Sequence, residues 1–236
     1  MSELLAFARG PLFLATFAFM VLGLLRHIGL RSYRLYQVLH RTPKRDVPWG
    51  KIVRNTAGWL LPVKHIFTSA PTMKIASIAF HIGIVIVPVF LADHVLLWSR
   101  GVGIGLPGLS ARAADILTLV AIGTGFYLFG FRILNRTARN LSGRIDYFVT
   151  AVVLVPLVSG YLASHPESAP LTYEAMMLIH VLSAELLFVL MPTTKLAHVV
   201  LFPFDRLSPE IFWRLVPGAG DRVAEALRGN RQGVEA

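Results

Sequence analysis

The chain has 236 residues, of which 55% are hydrophobic and only 15% charged, with a formal net charge of +10 at pH 7. A soluble domain carries about 25% charged residues, so this composition excludes a disordered chain, a coiled coil and most soluble enzymes, and points to a chain dissolved in lipid. Cysteine is absent. That excludes disulfides, thiolate-held iron–sulfur clusters and covalent haem attachment, and places any iron–sulfur relay serving this chain in another subunit.

Crossing the roughly 30 Å of bilayer hydrocarbon takes about 20 helical residues. Five apolar runs stand out: roughly Pro11–Leu25, Ile75–Trp98, Ala113–Leu134, Ile145–Ala163 and Tyr173–Phe204. Each must be helical, because lipid offers backbone N–H and C=O groups no other partner. The first run could also be read as a signal peptide. It lacks a basic stretch before it and an A-x-A cleavage site, and its Arg and His residues follow it, so a retained helix is expected.

Lys and Arg crowd the segments between runs one and two (Arg26 to Lys74), between three and four (Arg132 to Arg144) and after run five. The opposite side has only Arg9, Arg100 and Arg112. The positive-inside rule then puts the N-terminus outside and the C-terminus in the cytoplasm. The basic charge is a topology signal, and nucleic-acid binding is not expected. Residues 31–70 mix Trp49, Trp59, Leu60 and Leu61 with basic residues and with Pro43, Pro48 and Pro62, which predicts short helices lying at the cytoplasmic membrane surface. The expected fold is all-α: an integral membrane bundle of five transmembrane helices over residues 1–206, with a cytoplasmic tail at 207–236. A short helix near Asp221–Arg228 is expected in that tail, as a docking segment or a solvated end.

Ionisable groups inside membrane spans are costly and invite a functional reading. Of eight histidines, His27, His40 and His65 fall in the cytoplasmic region and His165 in a short outer loop. His81 and His94 lie in the second run, His180 and His198 in the fifth. His180 and His198 are 18 residues apart, five whole turns of an unbroken helix, which puts both rings on one face about 27 Å apart in rise. His81 and His94 are about 140° out of phase in an ideal helix, but Pro88 between them changes that phase. The two runs are antiparallel, so His81 matches His198 in depth on the inner side and His94 matches His180 on the outer side. Two pairs of imidazoles at two depths form ligand sets for two b haems. Ala79, Gly83, Ser183 and Ala184 are small neighbours that leave room for them. The simpler alternative is four structural histidines bonded to backbone carbonyls.

Lys195 lies one turn before His198 and suits a haem propionate, or simple anchoring at the interface. Glu185 falls inside the fifth run, as a proton relay or a partner that orients a haem histidine. Gly123, Gly125 and Gly130 in the third run suit close helix packing.

The stretches Phe80-His81-Ile82-Gly83 and Met191-Pro192-Thr193-Thr194-Lys195-Leu196-Ala197-His198 resemble the gamma (cytochrome b) subunit family of respiratory nitrate reductase, with its relatives in sulfite-reductase-linked and heterodisulfide-reductase-like complexes. In that family the last span carries a proline six residues before its final histidine, a basic residue three before it, and 18 residues between its two histidines; Pro192, Lys195, His198 and His180 match. The resemblance runs from the second span to the fifth. It implies five spans, an outside N-terminus, haem iron held by histidines of spans two and five, and quinol oxidation near the outer haem beside a basic residue. Arg112 would bind a quinone carbonyl there, and Asp93 or Asp115 would accept a proton. The family's two span-two histidines lie closer together, and position 91 here is Leu, so His94 would serve from one turn further out. The segment before span two is longer than in that family, which implies a different partner.

The expected protein is thus a membrane cytochrome b subunit of a respiratory oxidoreductase in a bacterial or archaeal cytoplasmic membrane. It would pass electrons between the quinone pool and iron–sulfur and catalytic subunits on the cytoplasmic face. The alternatives are a single-haem cytochrome b using His81 and His198, and a haem-free transporter or anchor subunit.

Overall fold

A computed structural model describes residues 2–41, 49–60, 70–215 and 224–226. Most of these residues are helical, and their one β feature is an isolated bridge between Leu91 and Leu109. Five helices among them are long and apolar enough to cross a membrane: Ser2–Arg41, Pro71–Phe90, Ala111–Leu134, Arg144–Ser164 and Tyr173–Thr193. Large apolar side chains point outward along them, Leu14 at 62% exposure for example. Such surfaces suit lipid and would be an aggregation liability in water. The architecture is that of a multi-pass, all-α membrane protein.

The helices depart from the expected runs at three places, each with a local cause. The first helix consists of α1 (Ser2–Phe7), a π-helical turn (Ala8–Leu12) holding Pro11, and α2 (Phe13–Arg41). It continues for 40 residues, about 60 Å at 1.5 Å per residue. Residues 31–41, expected at the membrane surface, are its last turns. No proline lies between Pro11 and Pro43 to stop it, and isolated glycines such as Gly23 and Gly29 cost a helix only about 1 kcal/mol each. The short helix α3 (Trp49–Leu60) follows.

The second run is two helices. The α4 helix (Pro71–Phe90) ends at Leu91 (φ −59°, ψ 132°), and α5 (Ala92–Val102) starts immediately after it. Pro88 lacks the N–H that would continue the ladder. The last rung is Leu91 N–H to the Val87 carbonyl at 2.9 Å. Gly103 at φ +73° ends α5 in the left-handed conformation that glycine adopts freely. The loop beyond it folds back, and Leu109 N–H donates to the Phe90 carbonyl at 2.7 Å.

The third and fourth runs form α6 (Ala111–Leu134) and α8 (Arg144–Ser164), joined by the short α7 (Arg136–Asn140). The fifth run is also broken. The α9 helix (Tyr173–Thr193) ends at Thr194, which is extended (φ −128°, ψ −171°) and whose hydroxyl accepts from Leu196 N–H at 3.2 Å. A single 3-10 turn, Lys195–Ala197, leads to α10 (His198–Leu215). The premise of one continuous helix carrying His180 and His198 five turns apart therefore does not hold. The α10 helix also runs across the 206/207 boundary expected from sequence. His65 and most of the helix expected near Asp221–Arg228 lie outside the described residues; 224–226 are helical.

The chain divides into two compact units. The first comprises Met1–Met20 and Lys64–Leu190. Its centre is where α4 crosses α6 and α6 packs on α8. Phe80, Ala121, Leu154 and Leu157 are buried together there. Glycines permit the approach: a Cβ on Gly83 would meet Ala121 Cβ at 2.6 Å and the Leu117 carbonyl at 3.0 Å, and one on Gly125 would meet Leu154 Cδ2 at 2.5 Å. Gly83, one of the small neighbours expected beside a haem, makes this helix contact. Gly125 packs closely as expected, whereas Gly123 and Gly130 have nothing within 4 Å of such a Cβ. Phe13 and Phe17, one turn apart, set their rings on Phe188 of α9, and Phe17 also meets Trp98 of α5.

The second unit comprises Val21–Val63 and Met191–Ala236. Here the far end of α2 packs with α3 and α10. Ile52 and Ile211 are fully buried against each other, and Leu35, Val38, Leu39 and Leu207 close over them. Arg31 pairs with Asp205 at 3.5 Å.

Because Gly83 sits against backbone as well as side chain, Gly83→Val should destabilise the protein by about 1–3 kcal/mol, the usual cost of overpacking. Gly123→Val, which meets open space, should stay within about 0.5 kcal/mol of the parent. Thermal unfolding in detergent compares the two; equal melting temperatures would contradict the packing described.

Candidate functional site

Two helix-borne imidazoles meet in the first unit. His94 of α5 and His180 of α9 lie with ring centroids 6.0 Å apart and planes within 16° of parallel. Each is held from behind by a proline carbonyl.

Leu91 turns the chain away from α4, so the Pro88 carbonyl faces side chains from the next helix. His94 Nδ1 donates to it at 3.1 Å and Trp98 Nε1 at 3.3 Å. The two donors are four residues apart and therefore share one face of α5. His180 Nδ1 donates to the Pro156 carbonyl of α8 at 2.8 Å. That carbonyl is reachable because Gly160 follows one turn later. Helical side chains lean toward the preceding turn, and a Cβ at Gly160 would lie 2.7 Å from His180 Nδ1.

With Nδ1 carrying the donated proton, Nε2 of each ring keeps the lone pair that could bind a metal. Were a haem bound here, His94 and His180 would be the residues to hold its iron, each already oriented by its backbone bond. His94 lies beyond the end of α4, and burial, with the neighbouring His180 ring, holds its imidazole below the ordinary histidine range. That favours the neutral ring, the metal-binding form. Among the described residues no three His, Asp or Glu side chains gather into a chelating group. A haem would need only two such side chains.

The other sequence-predicted residues are placed as follows. His81, exposed on α4, donates from Nδ1 to the Ser77 carbonyl at 2.7 Å. His198 opens α10 in the second unit, is also exposed, and donates from Nδ1 to the Lys195 carbonyl at 2.8 Å. Lys195 itself is exposed in the 3-10 turn. All four candidate histidines thus bond a backbone carbonyl through Nδ1. That pattern belongs equally to structural histidines and to oriented ligands. The close approach of His94 and His180 from two helices is what the structural alternative does not require.

Arg112 is exposed in the first turn of α6, and Asp93 is exposed beside His94. Asp115 reaches His165, with Oδ2 3.6 Å from Nε2; the His165 ring stacks on Tyr161 at 4.2 Å and its Nδ1 donates to the Tyr161 carbonyl. Glu185 is 3% exposed, and neither carboxyl oxygen has a hydrogen-bond partner among the described residues. An apolar groove of about 380 Å³ lies between α6, α8 and α9, lined by Phe126, Leu154, Val158, Met176 and Ile179 among others. It offers no charged group.

Sequence reasoning missed Trp98, Gly160 and the acceptor role of Pro88 and Pro156. The spacing of His94 and Trp98 was a legible signal. The contacts of Gly160 and Pro156 with His180 join distant segments and carry no local mark.

The fold and the site together define a multi-pass helical membrane protein with a close, near-parallel pair of imidazoles. The chain is 33% identical over 208 residues to a protein of Nitratidesulfovibrio vulgaris (strain Hildenborough), covering 85% of this chain and 89% of that one, and it belongs to the same family. That relative is called simply "Protein", a name that states no activity. No protein-family model and no solved structure matches the chain.

Gly160→Ala should push the His180 ring off the Pro156 carbonyl. In nitrogen-15 NMR of histidine-labelled protein, His180 should lose its single Nδ1–H tautomer while His81 keeps its own. An unchanged His180 signal would contradict the contact.

Proposed function

We propose that this protein is a membrane cytochrome b subunit that exchanges electrons between the quinone pool and an iron–sulfur partner on the cytoplasmic face. The observation that carries this reading is the close, near-parallel approach of His94 and His180 from two helices, each ring oriented by a proline carbonyl. A second haem, held by His81 and His198, rests on the resemblance to the nitrate reductase gamma family. The charge distribution supports an outside N-terminus and a cytoplasmic C-terminus, in a bacterial or archaeal cytoplasmic membrane.

Bound haem would supply one-electron redox chemistry in a medium without water. The chain's own residues do the rest. Pro88 and Pro156 fix the tautomer and direction of His94 and His180. Trp98, against Phe17, closes the aromatic packing beside them. Quinol would meet the protein near the outer pair. There Arg112 would hold the quinone oxygen, and Asp115, in contact with His165, or Asp93 would take up the proton. Lys195 would neutralise a haem propionate near His198. The absence of cysteine supports a separate iron–sulfur subunit.

A transporter built on broken helices places its breaks near the bilayer midplane. Here the breaks at Leu91 and Thr194 follow helices of 20 and 21 residues, each long enough to cross first. They favour ligand presentation at the membrane edges over a transport pathway.

The test is a reduced-minus-oxidised optical spectrum of purified protein with extracted haem counted per chain. Two b haems are expected, falling to about one in His198→Ala and to about one in His94→Ala, since each pair loses an axial ligand. Protein without haem would overturn the proposal.

A further inference from the structure

The second unit contains a histidine–proline contact that the proposed electron path does not use. His27 of α2 donates from Nε2 to the Pro192 carbonyl at 2.8 Å. One turn earlier on the same face, Gly23 lies against the Pro192 ring: a Cβ there would meet Pro192 Cβ at 2.5 Å and Cγ at 2.9 Å. One turn later on that face, Arg31 pairs with Asp205 of α10 at 3.5 Å. Gly23, His27 and Arg31 follow at four-residue intervals, the spacing that aligns side chains along a helix.

The Pro192 carbonyl would accept from Leu196 N–H if α9 continued. Leu196 N–H instead bonds the Thr194 hydroxyl, and His27 takes the carbonyl. The α2 helix therefore grips the chain before the break, at Pro192, and after it, at Asp205, with His198 between the two grips. Arg31 and Asp205 are both well exposed, and exposed ion pairs contribute little. The contact with Pro192 is the stronger constraint.

We infer that His27 is a positioning residue: with Gly23 it fixes the end of α9 at the Thr194 break and thereby the direction in which the His198 imidazole is presented. The inference deepens, and rests on, the proposed role of His198 as a haem ligand. It also assigns a task to a conformation that no local sequence feature specifies. Pro192 alone would only weaken the helix; the bond from His27 selects where it ends.

The experiment uses the full-length protein in detergent with His27→Leu, which removes the donor, and His27→Gln, which restores a side-chain N–H. Hydrogen exchange over residues 191–199 should be about three- to tenfold faster in His27→Leu, the range that follows from losing one hydrogen bond, and near the parent in His27→Gln. The b-haem band that disappears in His198→Ala should shift in His27→Leu and return in His27→Gln. The band that disappears in His94→Ala should stay put in both. Exchange and spectrum unchanged in His27→Leu, or equal damage in both variants and both bands, would overturn the inference. A parent protein without haem would sink the haem assignment itself, and the exchange comparison would still decide whether His27 holds the break.

Discussion

A backbone carbonyl that its own helix leaves accessible must find a donor, and in lipid that donor has to come from the protein. Here the donors are histidines. The break at Leu91 offers the Pro88 carbonyl to His94, the missing side chain at Gly160 offers the Pro156 carbonyl to His180, and the break at Thr194 offers the Pro192 carbonyl to His27. Each bond gives a part-buried acceptor a donor and fixes the direction of an imidazole at the same time. The arrangement costs helix continuity in two places. What it produces is rings with defined tautomers on otherwise apolar helices.

The same constraint explains why the helices are interrupted where they are. The α4 and α9 helices are each long enough to cross the hydrocarbon before they break, so the cost of freeing backbone groups falls near the ends. Close helix packing is met separately, by Gly83 and Gly125 in the first unit. Packing and presentation are thus assigned to different residues, and the small residues are not the ones facing the imidazole pair, Gly160 excepted.

The spans were legible because their signal is local. Apolar length alone marks five helices, and the third and fourth runs differ from α6 and α8 by only a residue or two. Proline was read as a kink at Pro88, but whether a proline bends a helix or ends it depends on who takes the freed carbonyl, and that partner is remote in sequence. The same reason hid the break at Thr194, which undid the five-turn argument for His180 and His198. It also hid the continuity of the first helix through residues 31–41, where basic residues suggested a surface segment. The sequence favoured the pairing of His81 with His198. The rings that come together in the first unit are those of His94 and His180, because α5 is a new helix with its own phase.

In the proposed reading His94 and His180 would hold one haem. Electron paramagnetic resonance of the oxidised protein tests it most directly. Near-parallel imidazole planes predict a rhombic low-spin ferric signal that is lost in His94→Ala and equally in His180→Ala, while the signal of a haem on His81 and His198 remains. A protein with no low-spin haem signal, or whose spectrum is the same before and after both substitutions, would contradict the proposal.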